Sequence, residues 1–478
     1  MSLIHRLCTA AASLAVAASA AAQTAALPPE VRATWLTTTG PDTIRSGYAT
    51  EAAVAELRRV GLNTLYTEAW KNGYTQFDSP TLEAFAGVKK SPFLGGRDLL
   101  EEATIQAHRQ GMSNSAWFEY GFAAQFIGNG GSVSNPLARK ARDNGWLLED
   151  AQGNFGNASN GFAWMNPAVP EVRELLIGVT LDAIRGRDLD GVQFDDRLAW
   201  PERFGFDATT ARIYHEETGR SLPARSDDAA FRAWRQSKVT GFARELSAAV
   251  RAERPDLRLS VSPSVRGFSD RAYNAVWTDW LEEGLFDEYV PQVYRAGLND
   301  YRAALTDNTR PFLAEDKLDQ LVVGLRLNGS GADTDLDVLK QQIVNAALQS
   351  DAAGHSIFYS RGVLENADEL AAFYGNQRES PFFGSDRRPA PLVAEAVGGG
   401  WLVDVEEGLT YRVVAEIAGR WREVDSRFFA PGEAFLSVAG ATEVELLVDR
   451  RPAAVPEPAA GLLLVGAGLL TLRRRRAA

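Results

Sequence analysis

The sequence of 478 residues predicts an α/β fold, a (β/α)8 TIM barrel followed by a small all-β domain. Apolar strand-like segments alternate with helix-like segments eight times, which is the pattern of a barrel enlarged by loop insertions. Near residue 390 this pattern changes to short alternating apolar segments separated by glycines, as in a small β domain. A doubly wound sheet is the alternative, but no glycine-rich phosphate loop follows the first strand-like segment.

The eight predicted barrel strands are short, apolar and bounded by turn residues. They cover residues 31–37, 63–68, 113–120, 191–195, 257–263, 289–294, 321–327 and 356–360. Helical patterns lie between them, for example at 50–60, 97–110, 170–185, 208–217, 228–251 and 335–353. The predicted barrel spans 28–387, and the region 390–453 is a small β domain or a spacer. The β domain could bind carbohydrate through Trp401, Tyr411 or Trp421, but we favour the spacer.

The N-terminal segment 1–22 has the features of a secretory signal peptide. A basic start at His5 and Arg6 precedes an apolar run rich in alanine, which ends in small residues. The only cysteine, Cys8, lies inside this segment. The exported protein would therefore have no thiol, which excludes cysteine nucleophiles and zinc sites built from cysteine.

The C-terminal segment 454–478 contains a second targeting signal. A Pro456-Glu457-Pro458 motif precedes an apolar run of 14 residues and four arginines at 473–476. The apolar run is shorter than the roughly 20 residues that span a bilayer. This order of parts resembles the PEP-CTERM sorting tail of Gram-negative bacteria, which an exosortase recognises. The resemblance implies export across the inner membrane, transient membrane anchoring, and a cell-surface or extracellular location after processing.

The formal net charge of −12 disfavours nucleic acid as a partner. After export, the remaining histidines are His108, His215 and His355, and their spacing does not suit a metal site. A Gly-x-Ser-x-Gly nucleophile motif is also absent from the sequence. The sequence therefore predicts no cofactor and no metal.

Carboxylates recur where the predicted strands end. Asp195 and Asp196 end the fourth strand, while Glu68 and Glu119 lie at the ends of the second and third. Because side chains alternate along a strand, Asp195 shares the inward face with Gln193. The simplest alternative is that Asp195 or Asp196 only caps the following helix. Catalytic groups of barrel enzymes gather at these strand ends, so the repetition favours a catalytic site.

Aromatic side chains accompany the carboxylates. Aromatic faces stack on the apolar faces of pyranose rings, and carboxylates bind sugar hydroxyls. The sequence thus predicts a sugar-binding cleft. The aromatic residues predicted to line it are Trp35, Trp70, Tyr74, Trp117, Tyr120 and Trp200.

Seven ordered motifs resemble the family 10 glycosyl-hydrolase-like proteins. They are Arg32-Ala-Thr-Trp-Leu, Gly61-Leu-Asn-Thr-Leu-Tyr, Trp117-Phe-Glu-Tyr-Gly-Phe, Trp164-Met-Asn-Pro, Asp190-Gly-Val-Gln-Phe-Asp-Asp, Ser260-Val-Ser-Pro and Pro291-Gln-Val-Tyr-Arg. The resemblance implies a barrel hydrolase of bacterial glycans, and some relatives act on peptidoglycan strands without stem peptides. It also implies roles in the site for Asn166, Gln292 and Tyr294. Glu68, Glu119 and Asn72 match a subset of relatives.

The resulting hypothesis is an exported glycoside hydrolase with a two-carboxylate mechanism. Asp195 is the expected nucleophile or base, Glu119 the expected acid and Glu68 the alternative acid, while Asp196 orients Arg197 or a sugar hydroxyl. A carboxylate separation of about 5 Å would favour retention of configuration, and roughly 6.5 to 9.5 Å inversion. The substrate would be a polysaccharide, either peptidoglycan glycan strands or exopolysaccharide. The alternatives are a non-catalytic carbohydrate-binding surface protein and a structural matrix component.

Overall fold

The computed structural model describes residues 29–39, 43–329, 331–348, 352–381 and 390–451. The predicted signal peptide and the predicted sorting tail lie outside these residues. Within the described part of the chain, no helix is both long enough and apolar enough to cross a membrane.

Eight parallel strands form the central barrel, so the predicted α/β class is confirmed. In chain order they are β1 Val31–Leu36, β2 Thr64–Glu68, β3 Ser113–Phe118, β4 Gly191–Asp195, β5 Arg258–Ser262, β6 Glu288–Tyr289, β7 Val322–Arg326 and β8 Gly354–Phe358. Hydrogen-bonded neighbours run in the order β6-β5-β4-β3-β2-β1-β8-β7. Single parallel bridges from Tyr289 to Leu321 and from Gln292 to Gly324 close the barrel between β6 and β7.

Strand β6 is shorter than the predicted segment 289–294. Proline has no backbone N–H, so Pro291 cannot donate to a strand ladder. Pairing nevertheless continues beyond it, since the Gln292 N–H donates to the Pro263 carbonyl at 2.9 Å. The helix predicted at 335–353 is also shorter and ends at Ala347. Beyond it, the Ala353 N–H donates to the Leu321 carbonyl at 2.9 Å, which leads the chain into β8.

Helices surround the barrel and fill its loop insertions. They are α1 Gly47–Val60, α2 Pro80–Ala86, α3 Leu99–Arg109, α4 Pro136–Asp143, α5 Pro170–Ile184, α6 Ala208–Thr218, α7 Ala229–Glu253, α8 Arg266–Ala272, α9 Trp277–Glu282, α10 Leu298–Glu315, α11 Leu336–Ala347, α12 Ser360–Glu365 and α13 Ala367–Tyr374. Several begin at a side chain that accepts a hydrogen bond from the first helical turn, including Ser46, Asp98, Asp207, Asp228 and Asp335. Such caps satisfy backbone N–H groups that the helix leaves unpaired.

Large aromatic side chains fill the inside of the barrel and form a floor beneath the strand ends. Trp35, Tyr66 and Trp117 pack together, with ring centroids of Trp35 and Tyr66 5.3 Å apart. The Trp35 indole donates to Gln193 Oε1 at 2.7 Å. Because the floor is closed by packed and hydrogen-bonded side chains, polar groups above it face the C-terminal rim.

Two antiparallel sheets follow the barrel. Their strands are β9 Leu392–Val393, β10 Glu395–Val397, β11 Gly400–Val405, β12 Leu409–Ile417, β13 Trp421–Phe429, β14 Gly432–Leu436 and β15 Ala441–Val448. One sheet has the order β9-β15-β12-β13 and the other β10-β11-β14. Tyr411 and Trp421 are buried and Trp401 packs against the small core, so these rings do not form an open sugar-binding face.

Charged residues join these sheets to the barrel. Arg109, at the end of α3, forms two 2.8 Å hydrogen bonds with Glu445 and lies 3.6 Å over the Trp421 ring. The buried side chain of Arg412 pairs with Glu101 and with Glu423. The two sheets are therefore fastened to α3 by contacts that include a fully buried cation.

Replacing Arg412 should destabilise the protein. The change Arg412→Ala removes a fully buried cation from two partly buried carboxylates, and breaking a buried ion pair costs about 3 kcal/mol. Urea unfolding followed by tryptophan fluorescence measures this loss. The matched control is Arg427→Ala on the same sheet, since that side chain is exposed and should cost less than about 1 kcal/mol. Equal midpoints for the two variants would contradict the proposed role of Arg412.

Candidate functional site

The C-terminal ends of β3 and β4 place acidic side chains around one arginine. Asp195 is the last residue of β4, and its carboxylate accepts from Gln292 Nε2 at 2.6 Å and from the Asp196 N–H at 2.8 Å. Its other oxygen accepts from Arg197 Nη1 at 3.1 Å. The same nitrogen donates to the Glu119 carbonyl at 3.1 Å. Arg197 therefore links the ends of two neighbouring strands.

Asp196 points to a different neighbour. Its Oδ2 accepts from the Ser264 hydroxyl at 2.8 Å, and its Oδ1 lies 3.7 Å from Arg197. The first contact ties the loop after β4 to the loop after β5. Asp196 thus adds a second carboxylate beside the Arg197 nitrogen that donates to Glu119.

A second cation holds the other two carboxylates together. Lys71 Nζ lies 2.9 Å from Glu68 Oε2 and 2.8 Å from Glu119 Oε2. It sits on a short hairpin formed by Trp70–Lys71 and Tyr74–Thr75, which leaves the barrel after β2. Lys71 was not among the residues predicted for the site, although its spacing of three residues from Glu68 was a usable signal.

The geometry argues against Glu68 as an acid. Its carboxylate is fully buried and accepts from two threonine hydroxyls, a backbone N–H, Gln76 and Lys71. The protein's own donors thus occupy the oxygens of this carboxylate, and Glu68 is not among the residues that line the cleft described below. Glu68 instead positions Lys71 beside Glu119.

Burial and like charge raise the pKa of both remaining candidates. The pKa of Asp195 lies well above its usual range because the group is buried and faces Asp196, while Arg197 opposes the shift. Burial also raises the pKa of Glu119. The positive charge of Lys71 opposes that shift, and the negative charge of Glu68 adds to it by a smaller amount. The rim thus has two carboxyl groups that favour the protonated form more than free carboxylic acids do.

A cleft of about 660 Å³ opens beside these groups. Glu119 and Arg197 line it from the β3 and β4 side, and Phe358 and Tyr359 line it from β8. Asn328, Asp333 and other residues after β7 complete the wall. None of the lining residues after β7 and β8 was predicted from the sequence, because no carboxylate pair or aromatic motif was recognised at the ends of those two strands.

The structure brings part of the predicted binding set to the rim. Gln292 contacts Asp195, the ring of Tyr120 lies 5.3 Å from the Arg197 guanidinium, and Tyr294 lies 5.7 Å from Phe358. The half-buried Tyr74 lies on the hairpin opposite Lys71. These residues remain candidates for contact with a substrate.

Other predicted residues lie below or away from the cleft, which corrects their expected contact with sugar. Trp35, Trp117 and Gln193 belong to the barrel floor and are almost completely buried. Trp70 and Trp200 lie in the hydrophobic core, where their indoles donate to the carbonyls of Gly121 and Phe204. Alternation along a strand predicts which way a side chain points, but it does not predict how deeply the side chain is buried. For this reason the sequence predicted these buried rings to line the cleft.

The two predicted asparagines shape loops. Asn166 is buried and donates to the Thr210 hydroxyl at 2.9 Å. Asn72 has a positive φ of 52° and accepts from the Phe126 N–H at 3.1 Å. Both side chains therefore hold backbone segments in place, and neither is aimed into the cleft.

Among the described residues, no group of three or more His, Cys, Asp or Glu side chains is arranged to hold a metal ion.

Residues 30–325 match the model of the family described as "Glycosyl hydrolase-like 10". The chain belongs to this family. The glycosyl hydrolase DigH of Escherichia coli K12 is 22% identical over 263 residues, which cover 50% of this chain and 56% of that protein. DigH of Shigella flexneri matches equally well. The match thus spans about half the length of these curated relatives.

The chain is also similar to solved structures. The catalytic domain of a β-amylase from Paenibacillus polymyxa has a TM-score of 0.50 at 11% identity and covers 76% of this chain and 100% of that chain. The PgaB glycoside hydrolase domain from Bordetella bronchiseptica has a TM-score of 0.49 at 14% identity, with 72% and 98% covered. At such identities the likeness concerns the fold alone.

The raised pKa of Asp195 predicts a pH-dependent stability gain for Asp195→Asn. A carboxyl whose folded pKa is raised destabilises the folded state once the pH exceeds its unfolded value, because it must ionise while buried. The variant should therefore melt roughly 2 °C higher than wild type at pH 7, and this gain should disappear near pH 3. Melting curves across this range test the sign, with the exposed Glu406→Gln as control. A gain that is equal at both pH values would contradict the prediction.

Proposed function

We propose that the protein is a glycoside hydrolase that cleaves O-glycosidic bonds of a bacterial polysaccharide with Asp195 and Glu119. The contact that carries the proposal is the Arg197 guanidinium, which joins the Asp195 carboxylate to the Glu119 backbone at the rim of the cleft. Family membership supports the same reaction class. Two-carboxylate hydrolysis needs one protonated and one ionised carboxyl group, and Asp195 and Glu119 on neighbouring strands would fill these two roles.

The surroundings favour Asp195 as the proton donor, which reverses the roles expected from the sequence. Asp195 has a like-charged neighbour, Asp196, and a pKa raised well above its usual range. Glu119 has an ammonium 2.8 Å away, which stabilises its ionised form. Asp195 would protonate the leaving oxygen, and Glu119 would act as nucleophile or base.

The proposed substrate is a glycan met outside the inner membrane. The targeting segments predicted at both termini support export, exosortase processing and a surface or extracellular location. Peptidoglycan glycan strands and the exopolysaccharide of the host are the two candidate polymers. Incubation of the protein with each polymer, with products identified by mass spectrometry, would decide between them.

Substitution of each carboxyl group tests the assignment. Asp195→Asn and Glu119→Gln should each lower kcat/KM on the active polymer by at least a hundredfold. If Asp195 is the acid, an aryl glycoside with a good leaving group should restore turnover in Asp195→Asn, because that group departs without protonation. In a retaining mechanism, added azide would displace the enzyme carboxylate in Asp195→Asn and give a glycosyl azide of retained configuration, whereas in Glu119→Gln it would displace the leaving group directly and give the inverted one. Full turnover by both variants would refute the mechanism, and glycan binding without turnover by wild type would indicate a binding protein.

Replacing Lys71 tests the ionised state of Glu119. Lys71→Met removes the cation that lowers the pKa of Glu119, so that pKa should rise. A base with a higher pKa needs a higher pH to be ionised, and the acidic limb of the kcat/KM profile should move up by about one pH unit. Lys71→Arg keeps the charge and should keep the limb near its wild-type position. An unchanged limb in Lys71→Met would show that Glu119 does not control it.

A further inference from the structure

Aromatic rings form a continuous strip along the rim of the barrel, on the side of the carboxylates away from the cleft. The aromatic strip consists of Phe126, Phe162, Trp164, Tyr273 and Phe268. Successive ring centroids along it are 5.1, 6.1, 6.0 and 5.1 Å apart. Each ring therefore touches the next, so the exposed rings at the two ends are joined through packed rings between them.

The two ends of the aromatic strip are open to solvent. Phe126 is 57% exposed and Phe268 is 47% exposed, whereas Trp164 is buried beneath the middle. Phe162 and Tyr273 are half-buried between them. Exposed phenylalanines that adjoin a row of packed rings are typical of binding surfaces, because they gain from burial only when something covers them.

The loops that carry the strip are held in place by hydrogen bonds. The Phe126 N–H donates to Asn72 Oδ1 at 3.1 Å, and Asn135 Nδ2 donates to the Ala124 carbonyl at 2.8 Å. At the other end, the Tyr273 carbonyl accepts from the Trp200 N–H at 2.8 Å. The strip is thus positioned before any ligand binds, which lowers the entropy cost of binding.

The strip reaches the proposed catalytic groups directly. The Arg197 guanidinium that pairs with Asp195 lies 4.8 Å from the centre of the Phe162 ring. Phe126 and Phe162 belong to the loop after β3, and Phe268 and Tyr273 follow β5, so the strip flanks the end of β4 on both sides. The cleft lies toward β1, β7 and β8, on the other side of Arg197.

We propose that the aromatic strip binds sugar rings of the same polysaccharide chain whose other part fills the cleft, so that the enzyme cuts inside glycan chains. This inference rests on the proposed function. A chain that extends from the cleft to the strip passes over Arg197 and Asp195, which leaves sugars on both sides of the scissile bond. The four strip rings that reach the surface, those other than Trp164, carry no charge, and their faces match the apolar C–H faces of pyranose rings.

Binding to a turnover-deficient protein tests the strip separately from catalysis. In an Asp195→Asn background, the affinity for peptide-free peptidoglycan glycan strands is measured by calorimetry with long and disaccharide fractions. The combined change Phe126→Ala and Phe268→Ala should weaken binding of long strands by about tenfold and that of the disaccharide by less than twofold. The control is Phe428→Ala, an equally exposed phenylalanine on the C-terminal sheets, which should change neither affinity.

Equal weakening for both lengths, or none, would overturn the proposal. A lack of binding to the glycan strands and to the host exopolysaccharide would overturn it as well. Failure of the proposed function has a different signature, since a wild-type protein without turnover would still bind long strands more tightly than the disaccharide and would lose that preference in the double variant. With wild-type protein, early products should be internal fragments of many lengths, and exclusive release of terminal units would contradict cleavage inside chains.

Discussion

The guanidinium of Arg197 contacts the groups that define the rim of this barrel. It pairs with Asp195 at the end of β4, donates to the Glu119 carbonyl after β3, and lies against the rings of Tyr120 and Phe162. A planar, permanently charged group suits this position, because it can donate in its plane and stack on rings with its faces. The cleft, the carboxylates and the aromatic strip all meet at this one side chain.

Negative charges outnumber positive charges around Arg197. Four carboxylates share two cations, Lys71 and Arg197, in surroundings that exclude most water. Glu68 accepts hydrogen bonds from five donors, whereas Glu119, Asp195 and Asp196 have fewer partners for their negative charge. Burial is the larger cause that raises the pKa of Asp195 and Glu119, and this crowding adds to it. The same surroundings that cost stability therefore favour a protonated carboxyl group at the rim, as the proposed hydrolysis requires.

The barrel floor and the Lys71 hairpin support the residues around Arg197, and the C-terminal sheets attach to the barrel. The floor of Trp35, Tyr66 and Trp117 supports the strand ends from below, and the Lys71 hairpin covers Glu119 from β2. The sheets after the barrel attach to α3 through a fully buried arginine, Arg412, and through the Arg109 guanidinium over Trp421. These contacts attach the sheets to the barrel, and their role as a spacer stays a prediction.

The sequence by itself determined the barrel, its strand order along the chain, and the inward direction of Asp195, since these follow from local periodicity. Tertiary structure alone decided depth and partners. Trp70 and Trp117 have the same aromatic character as Phe162, yet packing buries the first two and leaves the third partly exposed at the rim. The Lys71 ion pair with Glu119 joins residues 48 positions apart, and contacts over such a separation leave no periodic trace in a single sequence.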